Sequence, residues 1–297
     1  MMKGEPQLRK RGKATSLLSL IRPANSILVG FAVIVGIAVT SNNYHEIFTL
    51  RSFFGFLTGF FISSFSMVSN DIYDVEVDRV NAPERPIPSG IVSISTAKIY
   101  CVILLAAGLI SSAILGPVTL GIAALFAVIG WYYNFQGKKS GLFGNSLVAL
   151  SLAIPYIFGS VELGDYHVNL GYILALTSFL AGMGREVLKG ISDVEGDKLR
   201  SVRTVAASQG TKTAKRLTAV FFLLAVVTSS FPLLFGLLGK ALLVYSGLIL
   251  IPDAIFLYLA VKVLTLKKDE DSLKLKSYAL GGMMLGLVIY LISGLQV

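Results

Sequence analysis

The chain contains nine apolar stretches spaced along its length, and these limit its fold more than any other feature. A helix needs about 20 predominantly apolar residues to cross the hydrocarbon layer of a bilayer, and only 14% of the 297 residues are charged. We therefore predict an all-α polytopic membrane bundle of nine transmembrane helices, forming one domain over residues 1–297. The stretches lie near Ser26–Thr40, Phe53–Ser69, Thr96–Leu115, Val118–Tyr133, Ser146–Val161, Leu170–Gly184, Ala219–Leu238, Ala241–Val261 and Tyr278–Ile292.

One boundary between stretches allows two interpretations. The third and fourth stretches are separated only by Gly116 and Pro117, a dipeptide typical of a tight turn. We predict two helices here, and the alternative is one long kinked helix.

The basic residues predict the orientation of the bundle. Of the 26 lysines and arginines, all except Arg51 and Lys240 fall before the first stretch or in every second loop. Loops rich in lysine and arginine remain in the cytoplasm. This pattern predicts a cell-membrane protein with its N-terminus in the cytoplasm and its C-terminus outside. The net charge of +9 then reports membrane orientation, and we predict no nucleic-acid partner.

Two acidic clusters follow the second and the sixth stretches. The sequence Asp-Val-Glu-Val-Asp-Arg at 74–79 closely matches Asp-Val-Glu-Gly-Asp-Lys at 193–198. A match at equivalent positions, four stretches apart, indicates two related helical units. We predict an internal repeat with acidic motifs at 70–78 and 189–197.

Helical spacing suggests what these clusters bind. Residues four apart share one helix face, and stacked carboxylates repel each other unless a cation lies between them. Hard oxygen ligands without histidine or thiolate suit Mg²⁺, which also binds substrate phosphates. Nearby basic side chains could contact phosphate oxygens, while a solvated face of scattered charges is the simpler alternative. The predicted metal ligands are Asn70, Asp71, Asp74, Asp78, Asp193 and Asp197, and the flanking bases are Arg85, Lys138, Arg185 and Lys189.

These motifs resemble the signatures of a known family. The pattern Asn-Asp-x-x-Asp-x-x-x-Asp at 70–78, followed by Asn81 and by Arg-Pro-Ile-Pro-Ser-Gly at 85–90, resembles the first signature of the UbiA superfamily of intramembrane prenyltransferases. The segment 189–197 resembles the second signature, although Gly190 stands where that signature often carries an acid. The resemblance implies a helical bundle around a central cavity under a cytoplasmic cap, and Mg²⁺-dependent transfer of a prenyl group from a prenyl pyrophosphate.

The resemblance also implies roles for individual residues. Asp74 and Asp193 are the catalytic candidates that hold the metal, and Tyr132 or Tyr133 could face an allylic cation; we take Tyr132 as the candidate. Arg22 stands at the cytoplasmic edge of the first stretch, where phosphate binding and membrane anchoring are both reasonable interpretations. The candidate substrate-binding residues are Arg22, Asn25, Arg85, Lys138, Asn145, Arg185 and Lys189.

The acceptor is less closely defined than the donor. Within the superfamily, the run from Gly184 to Asp197 and the later Arg203-Thr204 are similar to archaeal enzymes that join geranylgeranyl to geranylgeranylglyceryl phosphate during ether-lipid synthesis. The alternatives are an aromatic quinone precursor or a chlorophyllide as acceptor. A divalent-cation transporter is the alternative of a different class, although a transporter would place its acids near the bilayer midplane.

Overall fold

The computed structural model describes residues 12–41, 44–164, 167, 169–192, 194 and 203–295. These residues are mainly helical and contain no β-strand. The helices are α1 (Lys13–Leu20), α2 (Pro23–Thr40), α3 (Leu50–Tyr73), α4 (Val75–Asn81), α5 (Ile94–Leu115), α6 (Pro117–Phe135), α7 (Leu142–Glu162), α8 (Leu170–Ser192), α9 (Val205–Gln209), α10 (Thr211–Ser229), α11 (Phe231–Leu234), α12 (Leu242–Leu248), α13 (Leu250–Leu264) and α14 (Ser272–Gly294).

Every predicted span lies on a helix or on a pair of consecutive helices. The number of helical segments that are apolar enough to span a membrane is nevertheless one fewer than the nine predicted. Within the described ranges, eight helical segments are long and apolar enough to cross a membrane. The sixth predicted span is α8, a 23-residue helix that is absent from those eight. It carries Arg185, Glu186 and Lys189 near its C-terminal end, and these charges lower its mean hydropathy.

The helix ends extend beyond the apolar stretches. Helix α3 continues past Ser69 to Tyr73, and α14 begins at Ser272 rather than near Tyr278. Helical backbone hydrogen bonds continue through polar residues, whereas a prediction from hydropathy leaves those residues out of the span. Helices α5 and α6 are separate, because Gly116 adopts a φ of 144° between them, a conformation that favours glycine. The alternative of one kinked helix is therefore wrong.

The long helices pack in a closed ring that follows chain order. In the described chain each of α2, α3, α5, α6, α7, α8, α10, α13 and α14 contacts the next, and α14 returns to α2. Further contacts cross the ring between α2 and α7 and between α8 and α14. The α2–α7 crossing is close, since a Cβ added at Gly159 would stand 2.5 Å from the carbonyl oxygen of Val33.

The outer surface of the ring is apolar. On α5, for example, Ile99, Val102 and Ile110 are each more than 60% exposed, and so large an apolar surface suits contact with lipid. Several connections at one end of the bundle carry charged side chains. They consist of α4, the loop from 82 to 93, the short helix Gly137–Lys139 and the segment from 203 to 210. These connections form a cap over that end of the ring.

Candidate active site

The first acidic motif lies where α3 passes into α4. Asn70 and Asp71 belong to the last turn of α3, Asp74 ends it, and Asp78 follows within α4. The chain turns at Asp74, yet the backbone N–H of Asp74 donates to Asn70 O at 2.9 Å and that of Asp78 donates to Asp74 O at 2.8 Å. The four-residue spacing therefore keeps its helical register through the bend.

Three basic side chains from other segments meet these carboxylates. Arg22 Nη2 donates to Asp71 Oδ1 at 2.7 Å, and Arg85 Nη1 donates to Asp78 Oδ2 at 2.6 Å. Lys138 Nζ pairs with Asp74 Oδ1. The side chains of Asp71 and Asp78 are only 8% and 9% exposed. The structure thus brings together three of the predicted metal ligands and three of the predicted substrate-binding bases.

Arg22 is held in a strained conformation. It has φ 46° and ψ 68° immediately before Pro23, and it is the one non-glycine residue with positive φ within the described ranges. Such a conformation costs about 1–3 kcal/mol and persists only where surrounding contacts hold it. Here the guanidinium contacts Asp71, Asn70 Oδ1 at 3.4 Å and Met67 Sδ at 3.6 Å. The anchoring interpretation of Arg22 does not account for these contacts, whereas a place in the site does.

The loop after α4 forms a compact support for Arg85. Ile87 and Val92 are buried beneath it, Val92 N donates to Pro86 O at 2.9 Å, and Gly90 turns the chain with φ 77°. Burial lowers the pKa of Arg85, but its hydrogen bond to Asp78 and the neighbouring carboxylates outweigh that effect and raise the pKa above its ordinary value. Arg85 therefore remains a cation while it is paired.

A second group of charges lies near the end of α8. Arg185 Nη1 donates to Glu186 Oε1 at 2.8 Å, and Lys189 Nζ lies 4.0 Å from Glu186 Oε2. The side chain of Glu186 is 9% exposed, so this residue holds two predicted substrate-binding bases. Asp193 and Asp197 lie outside the described residues. The second motif and the internal repeat consequently stay predictions.

The remaining candidate residues belong to the last turn of α6 and to the first turns of α2 and α7. The Tyr132 ring packs edge-on against Phe143 at 6.2 Å between centroids, while Tyr133 lies within electrostatic reach of Glu186 and Asp74. Asn25 is exposed in the first turn of α2, and Asn145 is half-buried in the first turn of α7. Among the described side chains, neither asparagine makes a hydrogen bond to the first motif, and their roles stay predictions.

Asn134, which sequence reasoning did not single out, reaches the motif from α6. It is 2% exposed and accepts a hydrogen bond from Asn70 Nδ2 at 3.2 Å. Its own amide donates to the carbonyl oxygen of Ser66 at 3.0 Å. An asparagine directly after two tyrosines at the end of an apolar stretch is the signal that could have indicated it.

The donor set fits a divalent cation. Within the described part of the chain, no three histidine, cysteine, aspartate or glutamate side chains form a ready-made metal cluster. Asn70 and the three carboxylates nevertheless supply hard oxygens, and each carboxylate already holds a cationic side chain. Such oxygens, together with substrate phosphates, are the ligands that Mg²⁺ prefers.

An apolar cavity lies within the bundle, farther along α3. It is small, lies between α2, α3, α6 and α7, and is lined by Val33, Thr58, Gly59, Ile62, Phe126 and Phe158, among others. At about 1.5 Å per residue, Gly59 is about 18 Å from Asp71 along the helix. A charged site thus lies at one end of a helical bundle whose interior is apolar. We call this site the mouth; it comprises Arg22, Asn70, Asp71, Asp74, Asp78, Arg85 and Lys138.

Fold and site together define a polytopic membrane protein with alternating carboxylate and basic side chains at one end of an apolar helical bundle. Residues 29–287 match the UbiA prenyltransferase family, and the chain belongs to this family. It is therefore a membrane prenyltransferase, as the resemblance implied, and the transporter alternative is not supported.

The relatives are similar over nearly the whole chain. A digeranylgeranylglyceryl phosphate synthase from Archaeoglobus fulgidus is 32% identical over 92% of this chain and 93% of its own length. That from Methanocaldococcus jannaschii is 32% identical over 96% of this chain and 98% of its own length. A solved digeranylgeranylglyceryl phosphate synthase structure has a TM-score of 0.83 at 30% identity, covering 96% of this chain and 99% of that one.

A more distant structure supports the fold alone. The UbiA homologue from Archaeoglobus fulgidus bound to DMAPP and Mg²⁺ has a TM-score of 0.68 at 19% identity, covering 93% of this chain and 99% of that one. Together these matches confirm the predicted all-α membrane bundle.

Proposed function

We propose that this protein transfers a geranylgeranyl group from its pyrophosphate to the free hydroxyl of geranylgeranylglyceryl phosphate. Relatives that are named for this product match more than nine-tenths of the chain. The observation that carries the proposal is the alternation of three carboxylates with three basic side chains at the mouth. That arrangement offers ligands both for a divalent cation and for phosphate oxygens.

The metal-binding residues in this proposal are Asn70, Asp71, Asp74, Asp78, Asp193 and Asp197. When bound, Mg²⁺ supplies Lewis-acid stabilisation of the charge that develops on the leaving pyrophosphate. Asp74 and Asp193 are catalytic residues because they hold that charge-stabilising group at the reacting phosphate. Since Asp74 ends α3, its carboxylate stands at the boundary between the apolar bundle and the charged cap.

The chain's bases bind and orient the donor. Arg22, Arg85 and Lys138 already converge on the motif, and Arg185 and Lys189 approach from α8. In the reaction the bond between C1 of the prenyl group and the pyrophosphate oxygen breaks, and its electron pair leaves with pyrophosphate. The acceptor hydroxyl oxygen bonds to C1, and its proton passes to the departing pyrophosphate. Tyr132 is the proposed aromatic neighbour of the developing allylic cation.

The helices have a separate task, which is to exclude water. An allylic cation exposed to water would be hydrolysed before it met the acceptor. The proposal places the prenyl tail among the apolar helices of the bundle. We also propose that the cap and the N-terminus face the cytoplasm and the C-terminus the outside, because in the sequence all lysines and arginines except Arg51 and Lys240 precede the first stretch or fall in every second loop.

Product mass tests this proposal. Purified protein would receive geranylgeranyl pyrophosphate and Mg²⁺ with one of four acceptors: geranylgeranylglyceryl phosphate, 4-hydroxybenzoate, a dihydroxynaphthoate or a chlorophyllide. We expect a product only with the glyceryl phosphate lipid; a prenylated aromatic product or a prenylated chlorophyllide would instead identify one of the alternative acceptors.

Two substitutions test the assigned carboxylates. Asp74→Asn and Asp193→Asn should each lower the rate about 100-fold or more, because Lewis-acid stabilisation is worth several kcal/mol. Glu76→Gln is the matched control, since Glu76 lies in the same motif but its side chain is 79% exposed and paired with Arg79. Full activity of Asp74→Asn would refute the assigned role of Asp74.

A further inference from the structure

We infer that Asn134 is a positioning residue that fixes which end of the Asn70 side chain faces the site. The inference rests on the proposed function, in which Asn70 is a metal ligand. An asparagine amide has an accepting oxygen at one end and a donating NH₂ group at the other. Only the oxygen end can bind a cation, so the orientation of Asn70 decides whether it helps or opposes metal binding.

The orientation of the Asn70 amide follows from a series of hydrogen bonds that begins at Ser66 and passes through Asn134. The carbonyl oxygen of Ser66 can only accept a hydrogen bond, so the group of Asn134 that lies 3.0 Å from it must be the NH₂ group. The Asn134 oxygen then faces Asn70 at 3.2 Å and requires the Asn70 NH₂ group on that side. The Asn70 oxygen is left facing the site.

The neighbour of that oxygen is cationic, as the orientation requires. Arg22 Nη2 lies 3.4 Å from Asn70 Oδ1 and 2.7 Å from Asp71 Oδ1, so Asn70 presents an acceptor beside a carboxylate. A reversed Asn70 would direct its NH₂ group at the guanidinium, or at a metal ion in the same place. Asn134 therefore determines whether Asn70 presents an oxygen or an NH₂ group to a cation in the site.

Burial explains why Asn134 can control it. Asn134 is 2% exposed, so water cannot replace its hydrogen bonds, and an unpaired buried amide is costly. The amide reaches Asn70 across the contact between α3 and α6. Partners of metal ligands that lie outside the coordination shell affect metal affinity by about 10–100-fold.

A double-mutant cycle tests the positioning role. Binding of Mn²⁺, an electron-paramagnetic-resonance probe for Mg²⁺, would be measured with inorganic pyrophosphate on the full chain in detergent. We expect Asn134→Leu to weaken Mn²⁺ binding about 10–100-fold. In the Asn70→Asp background the same substitution should cost less than about threefold, because the two oxygens of a carboxylate are equivalent and need no orienting partner.

The controls separate positioning from general destabilisation. Thr119→Val removes another buried hydrogen bond of α6, from Thr119 Oγ1 to Ser112 O at 3.1 Å, at the opposite end of the helix. It should leave Mn²⁺ binding unchanged. Asn134→Ala, which cannot overpack the site, serves as a second variant if the leucine variant does not fold.

The outcomes are distinct. A native chain that binds no Mn²⁺ with pyrophosphate overturns the proposed function and this inference together. A native chain that binds Mn²⁺ normally, with equal losses from Asn134→Leu in both backgrounds or no loss in either, overturns the positioning role alone. A loss confined to the Asn70 background supports it.

Discussion

Lys138 offers the sharpest test of how the mouth works, because it competes with a metal ion for the same carboxylate. Its Nζ pairs with Asp74 Oδ1, a carboxylate oxygen that is also a proposed metal ligand. Lys138→Met retains much of the side chain's length and removes its charge. We expect this variant to bind a divalent cation more tightly than the native protein when pyrophosphate is absent, and to bind pyrophosphate more weakly when the metal is present.

The expected magnitude follows from the exposure of the pair. The side chains of Lys138 and Asp74 are 26% and 22% exposed, between the exposed pairs worth about 0.2–1 kcal/mol and the buried pairs whose disruption costs about 3–5 kcal/mol. An intermediate value of about 1–2 kcal/mol corresponds to about a 5- to 30-fold gain in metal affinity.

Titration with Mn²⁺, followed by electron paramagnetic resonance with and without pyrophosphate, measures both effects. Lys139→Met is the matched control, because Lys139 is the exposed neighbour and makes no ion pair with the described residues. Unchanged or weaker metal binding by Lys138→Met without pyrophosphate would refute this reasoning, since competition for Asp74 requires a gain.

Three further predictions concern packing, the metal and a membrane-embedded acid. Gly159→Leu should lower the melting temperature strongly because its Cβ would meet Val33 O at 2.5 Å, whereas Gly121→Leu, with no atom within 4 Å, should not; equal melting temperatures would contradict the packing. Chelation with EDTA should abolish prenyl transfer and added Mg²⁺ should restore it, as product mass would show; transfer that persists in EDTA would refute the metal requirement. Asp253 lies in α13, where Ser229 Oγ is 2.9 Å from each of its carboxylate oxygens, and we interpret this contact as structural. Asp253→Asn should therefore retain transfer activity. Loss of transfer in a folded variant would refute a purely structural role.

The architecture could be predicted from the sequence because membrane insertion depends on hydropathy and on the distribution of basic residues, which are both sums over consecutive residues. Hydropathy located the spans, and the alternation of bases placed the charged residues at one end. Hydropathy could not predict where the helices end, since Asn70 and Asp71 remain helical despite their polarity. It also missed the interruption of the eighth span at Ile249, between α12 and α13.

The site was predicted in its residue types but not in its pairing. Spacing placed the carboxylates on one face, and the nearby basic residues, including Arg85 and Lys138, were predicted as phosphate ligands. The strained backbone of Arg22 and its contact with Asp71, 49 residues away, depend on how α2 packs against α3. Sequence spacing within one helix carries no information about such contacts. Asn134 was missed for the same reason, because its role exists only across the α3–α6 contact.

The pairing at the mouth bears on how such a site can form before any ligand arrives. Three carboxylates at the end of apolar helices would be strongly destabilising if unpaired, because a buried charge without a partner loses its hydration. Arg22, Arg85 and Lys138 pair with Asp71, Asp78 and Asp74, respectively. A metal ion that binds alone must displace these bases and leave them unpaired, and pyrophosphate alone must draw them from their carboxylates. When both bind, each displaced base gains a phosphate oxygen and each carboxylate gains the metal. The two ligands should therefore bind cooperatively.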